Sequence, residues 1–172
     1  MERFTKENWK QPVVEHNKLT KWGWMVSYPE GLKLGRLTDI GAFTYIQAKS
    51  GVIIEDNVQI GSHCAIYSVN TIDEQEGKVV IEEGACIGSG TVILPSTEIG
   101  RGALVGALSL VISGTKIPPG EVWGGVPAKK IKLKSSKGEP IKLERTKRLI
   151  LGRDVSKEEL NQKARSILGQ FK

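Results

Sequence analysis

The stretch I-E-E-G-A-C-I-G-S-G-T-V-I-L-P-S-T-E-I-G-R-G-A-L-V-G-A-L-S-L-V-I-S-G-T-K-I, residues 81–117, decides the fold. Aliphatic residues stand at Ile81, Ile87, Ile93, Ile99, Val105, Val111 and Ile117, a spacing of six that matches neither a helical period nor simple strand alternation. The small residue four places later repeats as well, at Ala85, Thr91, Thr97, Ala103, Ser109 and Thr115. Each hexad reads as one short flat strand with a bulky residue pointing inward, followed by a bend. Three hexads close a triangular coil, and stacked coils pair as parallel strands about 4.8 Å apart around a column of Ile and Val.

Upstream the pattern continues with interruptions. Ile54, Ile60, Ile66 and Ile72 form a second run, with Val58, Cys64 and Asn70 in the small slot. Leu34, Ile40 and Ile46 form a third, with Thr38, Thr44 and Ser50. Glycine often follows the aliphatic position, as at Gly35, Gly41, Gly61, Gly88, Gly100 and Gly106, and on spacing alone simple turn-making accounts for it. Between Ile46 and Ile54 either Val52 or Ile54 can be the inward residue. Between Ile72 and Ile81 the spacing lengthens, which predicts a loop, Asp73 to Lys78, extruded from the coil where chemistry tends to sit. Pro118 and Pro119 end the array, and Gly124, Gly125 and Pro127 make a sharp exit before the Lys-rich segment Lys129 to Lys134.

The ends are less regular. Residues 1–33, with Trp9, Trp22 and Trp24, are expected to cap the open top of the solenoid, whose strand edges would otherwise be unpaired. Residues 34–133 are the repeat domain and 134–172 a basic extension. Within that extension Ser156 and Glu159 form a capping box before Leu160, Ala164, Ile167 and Leu168, so a C-terminal α-helix is expected.

The 172 residues suffice for one domain with a tail. Three Phe, three Tyr and four Trp beside 20 Gly disfavour an aromatic-centred core. Residues 129–172 hold 14 Lys or Arg against 5 Asp or Glu, so the net charge of +6 belongs to the tail. Without interleaved aromatic residues or zinc-finger spacing there, a solvated basic surface or a site for a phosphorylated small molecule is favoured over nucleic acid. Two cysteines, Cys64 and Cys86, with no C-x-x-C pair indicate neither a disulfide framework nor a zinc site, and no functional role is assigned to them. The N-terminus is polar and no apolar run is long enough to span a bilayer, so a cytoplasmic protein is expected.

With its hexads and the exit G-G-V-P-A-K-K-I, the chain resembles the hexapeptide-repeat acyltransferases, whose all-β fold is a left-handed parallel β-helix. The left hand comes from the resemblance alone. The resemblance implies transfer of an acetyl group from acetyl-CoA, with no metal, in a groove between adjacent subunits of a homotrimer. It places Gly88 and Ser89 at the backbone amide offered to the thioester carbonyl, Gly106 and Ala107 along the pantetheine arm, and Pro127, Lys129 and Lys130 near the adenine and phosphates. The segments G-A-F-T-Y-I-Q-A-K (41–49) and I-G-S-H-C-A-I-Y-S (60–68) look like those of nucleotide-linked amino-deoxysugar N-acetyltransferases of surface-polysaccharide assembly.

Relatives acting on hydroxyl groups carry a histidine after the I-Y pair, reading like I-Y-T-A-G-H-P-L-D. This chain reads I-Y-S-V-N-T-I-D, residues 66–73, without one. A hydroxyl needs a general base, whereas an amine is a nucleophile once partly unprotonated, so the departure favours N-acetylation. Asn70 is then a candidate to orient the substrate amine, and Tyr67, Asp73 and Glu74 are candidates to hold the substrate. His63 is the alternative base, for O-acetylation of a sugar or small alcohol. His16, in the N-terminal arm, is expected to be exposed. A non-catalytic β-helix scaffold is the reading from another class, although its metal-dependent form needs three interfacial histidines and this chain has two.

Overall fold

A computed structural model describes residues 9–132. Nearly all of its regular structure is β, arranged as three parallel sheets, one per face of a five-coil solenoid. Face 1 stacks Met25–Ser27, Tyr45–Gln47, Ala65–Tyr67, Val92–Ile93 and Leu110–Val111. Face 2 stacks Leu32–Leu34, Val52–Ile54, Val79–Ile81, Glu98–Ile99 and Lys116–Ile117. Face 3 stacks Asp39–Ile40, Gln59–Ile60, Cys86–Ile87, Leu104–Val105 and Val122–Gly124, and Lys129–Lys130 then adds antiparallel to the last.

The hexad residues form the core. Ile46, Ile54, Ile66, Ile81, Ile93, Ile99, Val105 and Val111 are all buried, each paired with its counterpart one coil away or stacked in the same column. Trp24 is buried at the head of the column, while Trp22 packs partly against it. The Trp9 indole N–H donates to the Thr38 carbonyl (3.4 Å) and the Gln11 side-chain amide to that of Leu34 (3.1 Å). Side chains of the N-terminal arm thus serve carbonyls of the first coil. His16 is exposed, and its Nδ1 accepts from the Tyr28 amide (3.0 Å).

Four local expectations are corrected. Val52 and Ile54 both point inward, because the three-residue strand puts its first and third side chains on one face. Ile72 does not join the column and is 93% exposed. The extruded loop begins earlier than Asp73: Val69–Asn70 pairs antiparallel with Gln75–Glu76, a hairpin that leaves the coil at Ser68 and returns at Val79, which takes the inward place. Consequently Ala48 and Ser68, not Ser50 and Asn70, occupy the buried corner slots after Ile46 and Ile66.

The fourth correction concerns the glycines after the aliphatic position, which are not at left-handed turns. Positive φ falls two residues later, at Phe43, His63, Gly90 and Leu108 on one edge. Glycine is required because the next coil passes too close: an ideal Cβ on Gly88 would lie 2.3 Å from the Ala107 nitrogen, and one on Gly61 2.5 Å from the Ser89 nitrogen. Gly106 is different, its nearest neighbour being the Trp123 carbonyl oxygen at 3.6 Å. Gly88→Ala should therefore lower stability by about 1–3 kcal/mol. Gly106→Ala should stay within about 0.5 kcal/mol, a contrast that urea melts of the two variants will read.

Candidate functional site: an edge of uncapped backbone amides

The third residue of each corner hexad presents its amide at the edge of the solenoid, and the edges treat these amides differently. Between faces 2 and 3, of the Arg36, Asp56, Glu83 and Arg101 amides, all but that of Asp56 are capped by carboxylates: Arg36 N–H donates to Asp56 Oδ1 (2.7 Å), Glu83 N–H to Glu55 Oε2 (2.8 Å) and Arg101 N–H to Glu82 Oε2 (2.6 Å). The bond from the Arg36 backbone holds the Asp56 carboxyl below its ordinary range, so it stays ionised. Between faces 3 and 1 the same positions are Ser62, Ser89 and Ala107, and their amides make no hydrogen bond within the described residues. The reason is legible in composition. The first edge carries Glu55, Asp56, Glu82 and Glu83 beside its turns, whereas the second carries Gly-Ser and Gly-Ala pairs with no acid.

A line of unpaired N–H groups at coil spacing is suited to an extended ligand with carbonyl or other acceptor oxygens. Gly88, Ser89, Gly106 and Ala107 share this edge, and His63 stands on it one coil before Ser89. His63 is exposed with φ 57°, its ring 4.9 Å from that of Phe43, which is itself 68% exposed. The carbonyls of the same turns point the other way, into the coil. Thr44 Oγ1 donates to the Gly61 carbonyl (2.9 Å), Cys64 Sγ to that of Gly88 (3.3 Å) and Thr91 Oγ1 to that of Gly106 (3.0 Å). Burial pushes the Cys64 thiol up, so it keeps the proton it donates.

The remaining candidates stand elsewhere. Tyr67 lies on the outer surface of face 1, its ring 5.8 Å from that of Tyr45. Asn70 sits in the hairpin, where its Oδ1 accepts from the Ile72 amide (3.2 Å). Asp73 and Glu74 are exposed at the hairpin tip, and Asp73 Oδ1 accepts from the Gln75 amide (3.3 Å). Face 1 separates this hairpin from the amide edge: His63 and Asn70 are seven residues apart through the strand Ala65–Tyr67, up to about 24 Å of extended chain. Within one protomer the two groups stand at opposite edges of that face.

At the exit, the Ala128 amide donates to the Leu110 carbonyl (2.7 Å), carrying Pro127 past the last strand of face 1. Lys129 is exposed. Lys130 is ion-paired with Glu121, whose carboxyl is held low by Lys130 and then by the Trp123 indole N–H. Two concave features of the described residues lie away from the amide edge: a cavity of about 30 Å³ among Trp9, Trp22 and Trp24, and a groove of about 420 Å³ lined by Lys33, Ile53, Glu55, Asp56 and Glu83. Among the described residues no helix is long and apolar enough to cross a membrane, and no three His, Cys, Asp or Glu side chains group as metal ligands. The expected C-terminal helix lies outside the described residues.

No protein-family model matches the chain. It is 38% identical over 77 residues to gamma carbonic anhydrase 2, mitochondrial, of Arabidopsis thaliana, covering 45% of this chain and 24% of that one. It is 32% identical over 117 residues to UDP-3-O-acylglucosamine N-acyltransferase 2 of Rhodopseudomonas palustris, covering 66% of this chain and 31% of the relative. The chain thus spans about a quarter to a third of the length of these curated relatives. Among solved structures it is similar to AntD, an N-acyltransferase from Bacillus cereus determined with dTDP-4-amino-4,6-dideoxyglucose and coenzyme A. That match has a TM-score of 0.54 at 20% identity, over 78% of this chain and 86% of AntD. With its six-residue period and its three stacked parallel faces, the chain has the fold of the hexapeptide-repeat acetyltransferases to which its structure is similar.

Proposed function

We propose that the protein is an acyltransferase that moves an acetyl group from acetyl-CoA to the amine of a nucleotide-linked amino-deoxysugar. The observation that carries this reading is the row of uncapped, outward amides at Ser62, Ser89 and Ala107. The Ser89 N–H meets the thioester oxygen and stabilises the developing oxyanion, a contribution of about 3 kcal/mol for a donor of this kind. The Ala107 N–H, one coil further on, holds the pantetheine amide, and the exit with Pro127, Lys129 and Lys130 receives the nucleotide end. The free-base amine attacks the thioester carbon, the C–S bond breaks, and the proton lost by nitrogen leaves with the coenzyme A thiolate or to solvent. Asp73 and Glu74 hold the substrate, and Asn70 orients its amine.

Nitrogen as acceptor is supported by the missing hairpin histidine and by the N-acylation named for two of the similar proteins. The amide edge of one protomer stands across face 1 from its own hairpin. A homotrimer would supply the second wall, and light scattering giving a monomer mass at micromolar concentration would overturn the shared site. O-acetylation through His63 is the second reading, favoured by the exposed position of that histidine beside Ser89. A scaffold without catalysis is separated from both by calorimetry with acetyl-CoA, since only the transferase readings require binding.

The test of the function is thiol release from acetyl-CoA with a panel of amino-sugar nucleotides and their hydroxy analogues. Activity on the amines should rise with pH through the amine's own pKa, with no separate limb near the histidine value of about 6.5. Activity confined to the hydroxy analogues would reverse the assignment.

A further inference from the structure

We propose that Cys64 and Thr91 are positioning residues that aim the Ser89 and Ala107 amides at the ligand, an inference that rests on the acyl-transfer reading. In a trans peptide the C=O and N–H point in opposite directions, so whatever holds the carbonyl sets the direction of the amide. The Ser89 N–H belongs to the same peptide as the Gly88 carbonyl, and the Ala107 N–H to the same peptide as the Gly106 carbonyl. Cys64 Sγ holds the first carbonyl from inside the coil at 3.3 Å, and Thr91 Oγ1 holds the second at 3.0 Å. Both side chains are buried.

No backbone N–H among the described residues donates to either carbonyl. Cys64 is the sole described donor to Gly88, and Gly106 also receives Ser109 Oγ at 2.7 Å from its own turn. The edge between faces 2 and 3 provides the contrast. There three equivalent slots are Val58, Ala85 and Ala103, which have no side-chain donor, while Thr38 Oγ1 donates to the Gly35 carbonyl of its own turn (3.4 Å), and carboxylates take the Arg36, Glu83 and Arg101 amides. At Ser62, Ser89 and Ala107 a side-chain donor of the preceding coil thus lies beneath a bare amide, whereas the preceding-coil slots beneath the capped Glu83 and Arg101 amides are the apolar Val58 and Ala85. Without Cys64 the half-buried Gly88 carbonyl is left without a partner among the described residues. The peptide can then rotate to seek solvent, which would swing the Ser89 N–H inward and away from the thioester.

The two residues act on different parts of the ligand, so their loss has different signatures. Val fits the slot, as Val58 does on the neighbouring edge, and removes only the donor. Cys64→Val should lower kcat about 100-fold, as loss of one oxyanion donor does, while the KM for acetyl-CoA changes less than about threefold. Cys64→Thr, which makes position 64 like positions 44 and 91, should restore kcat to within about threefold of wild type. Thr91→Val should raise the acetyl-CoA KM about tenfold and leave kcat within about threefold, since pantetheine is held alike in ground and transition states. Steady-state kinetics of the three variants, with thermal melts alongside, make the test.

Wild-type kcat in a folded Cys64→Val protein overturns the inference. So does a loss in Cys64→Val that Cys64→Thr does not restore, or equal loss of kcat in both valine variants, because either result describes generalised packing damage. A wild-type protein that neither binds acetyl-CoA nor releases thiol from it overturns the acyl-transfer reading itself, a result distinct from all of these.

Discussion

Asn70→Ala should lower kcat/KM for the amino-sugar acceptor by about 10- to 100-fold, the worth of one or two hydrogen bonds to a positioned group, whereas His63→Ala should keep most of the activity. The expectation follows from the absence of a base requirement for a free amine, which leaves orientation as the main task of the acceptor side. Asn70 Oδ1 already accepts from the Ile72 amide and retains a second lone pair that can face the substrate amine. Alanine removes both the turn-shaping bond and the substrate contact. Asn70→Asp keeps the acceptor oxygen for Ile72, so it should preserve the hairpin and recover part of the activity. Kinetics on amine and hydroxy acceptors decide the matter. Near-complete loss in His63→Ala, with turnover of the hydroxy sugar, would promote O-acetylation with His63 as base, a role worth about 10²–10⁴ in rate.

Shortening a central member of the inward column should cost the most stability. Ile93→Ala removes a fully buried side chain that stacks between Ile66 and Val111, and should destabilise by about 2–5 kcal/mol. For a chain of this size that is a fall in Tm of about 5–15 °C. In a solenoid each coil is stabilised chiefly by its neighbours, so Ile117→Ala, in the last strand of face 2, should cost less. Ile72→Ala should be silent, because the side chain is 93% exposed on the hairpin despite matching the period of six. Calorimetric melts of the three variants test the ordering, and a cost at Ile72 equal to that at Ile93 would return it to the core.

The period of six, the inward Ile and Val column, the arm over the first coil and the point of exit were all legible in the sequence. A solenoid core is built from local repeats, and the spacing that packs Ile87 on Val105 is the spacing written in the chain. The mistaken places were those where the period continued by coincidence. Ile72 keeps the count from Ile66, yet Val69–Asn70 pairs with Gln75–Glu76, and that hairpin lifts the residue out of the column. Periodicity does not reveal such a departure, because pairing within a short loop depends on what lies opposite.

The contrast between the acid-bearing and the Gly-Ser or Gly-Ala edges was also present in the sequence, at Glu55, Asp56, Glu82 and Glu83 against Ser62, Ser89 and Ala107. Its meaning required the tertiary structure. Residues that are 20 or 28 positions apart must be stacked before Asp56 can cap Arg36, or Glu55 can cap Glu83, and before the lack of any such cap at Ser89 becomes visible. The same holds for Gly61, which is glycine because of a nitrogen one coil away, and for Cys64, whose partner is the Gly88 carbonyl. Local spacing determined the coil; contacts between coils decided which edge carries bare amides and what aims them, because those are set by neighbours in space that the order of residues does not place side by side.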